Sequence, residues 1–381
     1  MNNKRTSVTV VVAVAMVALF GATLARATIT STGAGGKWTT AATWGGNIVP
    51  GSGDRVVIAK GATVTVDSSA AACLSLLIGD GNGTSSTLTF ATVGSPKLTV
   101  SGNVQVSQST GNSRVGVITF KKGSTLVAGS LNLGVANNSV FGKIDMIDGG
   151  TLKVNGTIAV SGDNVTWIPG SGTVELTANN TLPSTRFTSF NNLTISSGTT
   201  VFSGNSTIAG LAIASDAKLG LPYAISSTAT TLSLGGFGRE NGTWGYTSSG
   251  ATHINTAYFA STTGMLIVNT DTRSASTVTA TGTTTFTYNG APQGADTAIV
   301  TGSTGAKTYS YAGTGGTTYS PSSTTPTAAG TYPVTASVPA DANYKSDNIA
   351  VVPEPTTCLA GALSLCVLGI GWYRQSRKSA A

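Results

Sequence analysis

The sequence predicts an all-β protein whose central region is a parallel β-solenoid, and three observations carry this prediction. Only 9% of the residues are charged, against roughly 25% in an average soluble domain. Glycine, threonine, serine and valine dominate the chain, which is typical of short strands joined by turns. Apolar residues two positions apart also recur about every 20 residues, as stacked coils require.

The apolar pairs are most regular in the second half of the central region, where their starts lie 21, 22, 19, 18 and 21 residues apart. Because successive side chains on a strand point to opposite faces, each pair places two side chains on one inward face for the next coil to bury. Upstream, strand-like runs at 64–66, 88–90, 98–100 and 118–120 are less regular, and a β-sandwich is the alternative fold. The pairs are Leu131 with Leu133, Leu152 with Val154, Val174 with Leu176, Leu193 with Ile195, Leu211 with Ile213, and Leu232 with Leu234.

Residues 1–27 carry the three parts of a secretory signal. Two basic residues are followed by the apolar run 8–20 and by small residues that end at Ala25 and Ala27. This order predicts a signal helix that signal peptidase removes after Ala27, so that the mature protein is exported. The alternative is an uncleaved membrane anchor, because the apolar run is rather long.

The C-terminal segment, 351–381, has the features of a membrane tether. Its apolar stretch, 358–373, is long enough for a short transmembrane helix. A basic cluster follows this stretch and is expected to stay in the cytoplasm, which places the rest of the chain outside the inner membrane. The cluster consists of Arg374, Arg377 and Lys378.

Three residues stand before the apolar stretch: Pro353, Glu354 and Pro355. The order Pro-Glu-Pro, apolar span and basic end resembles the PEP-CTERM sorting signal, which an exosortase reads in Gram-negative envelopes. The resemblance implies that these three residues are the recognition element. It also implies that the exosortase processes the tail before the protein reaches the outer surface or the extracellular matrix. An ordinary anchor with a chance Val-Pro-Glu-Pro is the alternative.

The first end of the predicted solenoid needs a cap, because a terminal coil exposes its core and its strand edge. The segment 35–67 contains Trp38, Trp44 and a Pro-Gly turn at Pro50. It resembles the Trp-rich N-terminal module of bacterial surface β-helix proteins. Both tryptophans are therefore interpreted as packing within the cap, and a platform for glycan stacking is the alternative.

Two further resemblances concern the region after the repeats. The run 236–270 resembles a terminal segment found after repeats in exported proteins, and a linker is predicted at 272–277. Residues 278–350 resemble the MBG-type immunoglobulin-like modules of bacterial surface proteins, which implies a small β-sandwich acting as a spacer or adhesive unit. The matching positions are Tyr288, Asn289 and Gly290 in an opening turn, and Gly330, Tyr332, Val334 and Tyr344 in the closing strands.

No catalytic, cofactor or metal site is predicted. The single histidine, His253, has no Cys, Asp or Glu beside it in the sequence, whereas a metal site or a catalytic triad needs partners. Asp145 and Asp148 are the best carboxylate pair for a polysaccharide-cleaving enzyme, but on one strand they would point to opposite faces. Asp80 and Asn82 supply too few ligands for calcium.

The formal charge of +7 does not indicate a nucleic-acid partner. Six basic residues lie in the two terminal segments, and the region between holds 15 basic and 13 acidic residues. Because phosphate binding needs clustered Lys and Arg, no nucleic-acid binding is expected. Cys73 lies among apolar neighbours and is expected to be a buried small hydrophobic residue.

The predicted fold is a capped right-handed parallel β-solenoid followed by a small immunoglobulin-like β-sandwich, with a helix at each terminus. Its parts are the signal peptide 1–27, the solenoid 28–271, the linker 272–277, the module 278–350 and the sorting tail 351–381. The predicted function is that of a non-enzymatic exported cell-surface or extracellular-matrix protein. Its expected partners are signal peptidase, an exosortase, the membrane and extracellular polysaccharide. The alternatives are a carbohydrate-binding adhesin and a polysaccharide-active β-helix enzyme.

Overall fold

The computed structural model describes residues 28–351, with gaps at 81–83, 109–113, 135–139, 162–163, 184–185, 223–225, 282 and 284. The predicted signal helix, the Pro-Glu-Pro motif and the predicted membrane span 358–373 therefore lie outside the described residues. Among the residues that are described, no helix has the length and apolar character needed to cross a membrane.

The described part of the chain is built from short strands and three single-turn 3-10 helices, at Ala41–Thr43, Gly45–Asn47 and Thr247–Ser249. The strands that precede the C-terminal region are β1 (Thr28–Thr30), β2 (Gly35–Lys37), β3 (Arg55–Ile58), β4 (Thr63–Val66), β5 (Ala71–Cys73), β6 (Ser75–Ile78), β7 (Ser86–Phe90), β8 (Lys97–Val106), β9 (Arg114–Thr119), β10 (Thr125–Leu133), β11 (Val140–Asp145), β12 (Thr151–Val154), β13 (Ile158–Val160), β14 (Val165–Ile168), β15 (Thr173–Leu176), β16 (Asn180–Leu182), β17 (Ser189–Ile195), β18 (Gly198–Phe202), β19 (Thr207–Ile213), β20 (Ala217–Gly220), β21 (Ser226–Leu234), β22 (Phe237–Gly238), β23 (Gly242–Gly245), β24 (His253–Ile254) and β25 (Met265–Val268).

These strands form a β-solenoid of about 8 turns. Sheet A has the order β1-β3-β6-β8-β10-β12-β15-β17-β19-β21-β25-β23-β24, sheet B the order β14-β11-β9-β7-β4-β2, and sheet C the order β16-β18-β20. From β1 to β21 the chain passes alternately through sheet A and through sheet B or C, and its strands pair in parallel with strands of the neighbouring coils. The all-β prediction and the parallel solenoid are thus confirmed, while the handedness stays a prediction.

The inward apolar pairs stack from coil to coil as their spacing predicts from β12 onward. Leu152 lies opposite Val174, Val174 opposite Leu193, and the series continues through Leu211 to Leu232. All five side chains are at most 3% exposed. The repeat of 18 to 22 residues is therefore the length of one coil in this half of the molecule.

The predicted register is wrong at the first pair, Leu131 with Leu133. Leu131 lies opposite Ile158, and the residue opposite Leu152 is Leu126. The coil is longer here because β10 bends at Gly129 and presents two inward pairs, one on each side of the bend. A Cβ atom at Gly129 would lie 2.2 Å from the carbonyl oxygen of Ser101, so only glycine lets the two coils approach here.

The chain continues after β25 into two small antiparallel sheets. One joins β26 (Thr277–Thr281) to β27 (Thr297–Thr301), and the other has the order β28 (Thr308–Tyr311), β29 (Val334–Val338) and β30 (Asp347–Val351). The two sheets share an apolar cluster that is separate from the solenoid core, and the immunoglobulin-like topology of this region stays a prediction. The cluster contains Val278, Ala298, Ala336 and Val338.

Candidate functional site

The two cap tryptophans pack against each other inside the N-terminal end of the solenoid. Their ring centroids are 4.9 Å apart at an interplanar angle of 73°, and the indole N–H of Trp44 donates a hydrogen bond to the Trp38 carbonyl at 2.8 Å. Each residue is only 1% exposed. Neither ring therefore presents a face on which a sugar could stack, and the two rings serve as packing of the first coils.

Two further tryptophans also have structural contacts. Trp167 packs edge-on against Phe187 at 5.0 Å, and its indole N–H donates to the Ser189 carbonyl. Trp244 is 6% exposed, and its ring stacks on His253 at 4.5 Å. Trp167 is partly buried, and both rings are held by side chains of the fold.

The two carboxylates considered for catalysis each form an ion pair with a different lysine. Asp145 ends β11 and pairs with Lys143 at 2.9 Å, whereas Asp148 lies in the following turn and pairs with Lys121 at 2.5 Å. Burial alone would raise the pKa of Asp145, but hydrogen bonds from Lys143 and from the Ile147 N–H outweigh this and lower it. Lys143 and Asp145 lie on one strand, whereas the Lys121–Asp148 pair joins neighbouring coils, and exposed ion pairs of this kind contribute little to stability.

The candidate calcium residues lie partly outside the described chain, and the candidate thiol is buried. Asp80 is exposed and its partner Asn82 falls in a gap of the described chain. Within the described ranges, no group of three or more His, Cys, Asp or Glu side chains is arranged to hold a metal ion. Cys73 is 1% exposed, and burial, with a smaller effect from Asp54, raises its thiol pKa to about 12. Its thiol is therefore unreactive at neutral pH.

A shallow depression of about 430 Å³ lies at the edge of sheet C and is lined by neutral side chains. Beneath it, Asn180 is only 5% exposed and joins neighbouring coils through all of its polar atoms. Its Oδ1 accepts a hydrogen bond from the Ile158 N–H at 2.8 Å, while its Nδ2 donates to the carbonyls of Gly156 and Ala178. The lining residues are Thr157, Asn179, Asn180, Thr181, Thr199 and Val201.

The densest charged cluster of the described chain lies where the solenoid meets the C-terminal sheets. Arg239 follows β22 and is 8% exposed. Its guanidinium donates to the Ala342 carbonyl at 2.9 Å, to Asn343 Oδ1 at 2.7 Å and to the Leu234 carbonyl at 3.0 Å. All three acceptors are neutral oxygens, and burial lowers the pKa of this arginine.

Arg273 follows Thr272, whose N–H donates to the Arg239 carbonyl, and carries ion pairs of this cluster. Its Nη2 is 2.9 Å from carboxylate oxygens of both Asp271 and Glu240, and its Nη1 donates to the Asp341 carbonyl at 3.0 Å. The hydrogen bond from Arg273 lowers the pKa of Asp271 more than burial raises it. His253 Nδ1 lies 3.3 Å from the second Glu240 oxygen, which places the single histidine at the edge of the cluster.

The loop that receives both arginines is ordered by its own aspartate. The Asp341 carboxylate accepts hydrogen bonds from the backbone N–H groups of Thr304, Asn343 and Tyr344, which lower its pKa to about 2. Lys345 N–H donates to the Ser274 carbonyl at 2.8 Å. We call this set the arginine junction: Arg239, Glu240, His253, Asp271 and Arg273 together with the loop 341–345.

The arginine junction is not among the features predicted from the sequence, although a signal for it is present there. The region between the two terminal segments has few charged residues, yet Arg239 and Glu240, Asp271 and Arg273, and Asp341 and Lys345 occur in three short segments. In a chain with 9% charged residues, such groups stand out by composition alone. Their mutual pairing across 30 to 100 positions of sequence is visible only in the fold.

The chain was compared with protein-family models, with curated proteins and with solved structures, and none of the three comparisons finds a match.

Proposed function

We propose that this chain is a non-enzymatic display protein of the cell surface or extracellular matrix, in which a capped solenoid serves as a stiff rod. The observation that carries the proposal is one unbroken column of inward side chains in sheet A. It runs from Leu98 through Leu126, Leu152, Val174, Leu193 and Leu211 to Leu232, each residue opposite the next.

The rod is stiff because each coil is held to its neighbours by both backbone and core. Parallel ladders join successive strands, and one continuous apolar cluster extends from Ile29 to Val268. In such a solenoid each coil contacts only the next, so length is gained without long-range contacts. A rod of this kind suits a protein whose role is to hold a surface or a module away from a membrane.

The proposed location rests on the terminal segments. The signal at 1–27 supports export, and the resemblance of Pro353, Glu354 and Pro355 with the following span to a PEP-CTERM signal supports sorting by an exosortase. The antiparallel sheets of 277–351 agree with a small β module, for which the MBG-type identity remains part of the proposal. A polysaccharide-active enzyme gains no support from Asp145 and Asp148, which lie in separate lysine pairs.

Surface labelling of intact cells tests the proposed display role. Lys122 is exposed in the turn after β9, so a Lys122→Cys variant offers a reactive thiol on the rod, while buried Cys73 stays silent. We expect a membrane-impermeant maleimide to label Lys122→Cys on intact cells. We expect labelling to fall to the background of the wild-type chain when Pro353, Glu354 and Pro355 are replaced by alanine.

The matched control replaces the neighbouring Thr356 and Thr357 by alanine and should leave the labelling unchanged. Equal labelling with and without the Pro-Glu-Pro motif would overturn the sorting part of the proposal. Labelling of Lys122→Cys that appears only after the cells are broken would overturn the display role itself.

A further inference from the structure

We propose that the C-terminal module, residues 277–351, is docked as a fixed unit against the last coil of the solenoid by the arginine junction. This assigns the module a function other than that of a freely hinged spacer. The inference does not depend on export or sorting, because it concerns contacts within the folded chain alone.

The buried guanidinium of Arg239 is the first observation. A charge that is removed from water is costly unless its donors are hydrogen-bonded. Two of the three acceptors that Arg239 reaches, the Ala342 carbonyl and Asn343 Oδ1, belong to the module. The solenoid supplies only the Leu234 carbonyl. The module therefore supplies both acceptors of Nη1, whereas Nη2 uses the Leu234 carbonyl and Nε has no partner among the described residues.

The connecting segment is the second observation, because it is tied down at both ends. Thr272 N–H donates to the Arg239 carbonyl at 2.9 Å on the solenoid side. On the module side Ser274 forms a parallel β-bridge with Tyr344. Lys345 Nζ also reaches the Asp271 carbonyl at 3.3 Å. The segment 272–277, predicted from the sequence as a linker, is therefore held by contacts on both its solenoid side and its module side.

The position of the junction is the third observation. It lies at the last strands of sheet A, where β25 pairs with β21 and β23 turns back antiparallel onto β25. The module keeps its own apolar cluster, separate from the solenoid core, so the polar contacts of the junction and of residues 272–277 hold it to this end.

Hydrogen exchange of the full exported chain, followed by mass spectrometry, tests this assignment. Arg239→Gln and Asn343→Ala remove the two sides of one contact, and Arg55→Gln, at an exposed arginine of the first coils, is the matched control. We expect each junction variant to lower the protection of β29, β30 and β25 about tenfold, as loss of a charge-assisted hydrogen bond would. Protection of β3 to β10 should stay at the wild-type value.

The double variant shows whether Arg239 and Asn343 act through one shared contact or stabilise the fold independently. Because both changes break the same contact, Arg239→Gln with Asn343→Ala should lower protection no further than the stronger single variant. Unchanged protection of β29 and β30 in Arg239→Gln would overturn the assignment. So would a double variant whose fold-loss of protection equals the product of the two single fold-losses. If Arg239→Gln also unfolds β3 to β10, Asn343→Ala alone decides, since its side chain belongs to the module.

Discussion

Replacing Trp44 by alanine is expected to destabilise the N-terminal cap by about 3 to 5 kcal/mol, the usual cost of removing a buried tryptophan. The side chain is 1% exposed, packs on Trp38 and donates one hydrogen bond to its carbonyl. In a solenoid the loss acts first on the coils next to the cap. Hydrogen exchange should therefore show β1 to β4 opening while β19 and β21 keep their protection.

Two companion variants make the Trp44 result specific. Trp44→Phe keeps an aromatic ring but loses the indole donor, so about 1 kcal/mol should be lost. Ile48→Ala, at a cap residue that is 59% exposed, should change stability by about 0.5 kcal/mol or less. If Trp44→Ala behaves like Ile48→Ala, the two tryptophans do not carry the cap, and their roles must be sought elsewhere.

Replacing Asn180 by aspartate is expected to cost about 3 to 5 kcal/mol at neutral pH, since it leaves an uncompensated buried charge. The Asn180 Nδ2 donates to two carbonyls, and a carboxylate oxygen at that position would face both of them without a hydrogen to share. The Ile158 N–H would keep its acceptor. Urea unfolding of the variant and the wild type measures the difference.

The stability cost of Asn180→Asp relative to wild type is expected to increase with pH. Burial beside two carbonyls raises the pKa of the new carboxyl above its unfolded value of about 3.9. The penalty relative to wild type should therefore be smallest below about pH 4, where the protonated carboxyl can still donate to one of the two carbonyls, and should grow as pH rises. Asn179→Asp is the control. Asn179 is exposed, and its Oδ1 accepts a hydrogen bond from the Thr199 N–H, which a carboxylate oxygen can accept equally well. A penalty in Asn180→Asp that does not change with pH would contradict a buried charge.

The fold was predictable from sequence where one rule applies to every coil. From Val174 to Leu232 each coil consists of one strand in sheet A, a turn and one strand on the far side, and its length varies by only a few residues. The period fails at Leu131 because β10 carries two inward pairs around Gly129. A rule that counts one inward apolar pair per coil cannot detect the second pair of β10.

The junction and the Asn180 contact were not predictable because they depend on side chains brought together from distant positions. Arg239 reaches residues 103 and 104 positions away. Asn180 reaches Ile158 in the preceding coil. Local composition indicates a turn at Asn179 and Asn180 but does not reveal which of the two amides points inward. Burial of Trp38 and Trp44 was predictable, because glycine turns beside them let the rings fold over the backbone.

The measurement that tests the proposed display role most directly is the intact mass of the protein isolated from its native envelope, with and without alanine at Pro353, Glu354 and Pro355. We predict that the wild-type protein begins at Thr28 and has lost the C-terminal segment with its basic end. The alanine variant should begin at the same residue and keep that segment. A wild-type mass that includes the tail through Ala381 would contradict processing, and would leave a rod held by an ordinary membrane anchor.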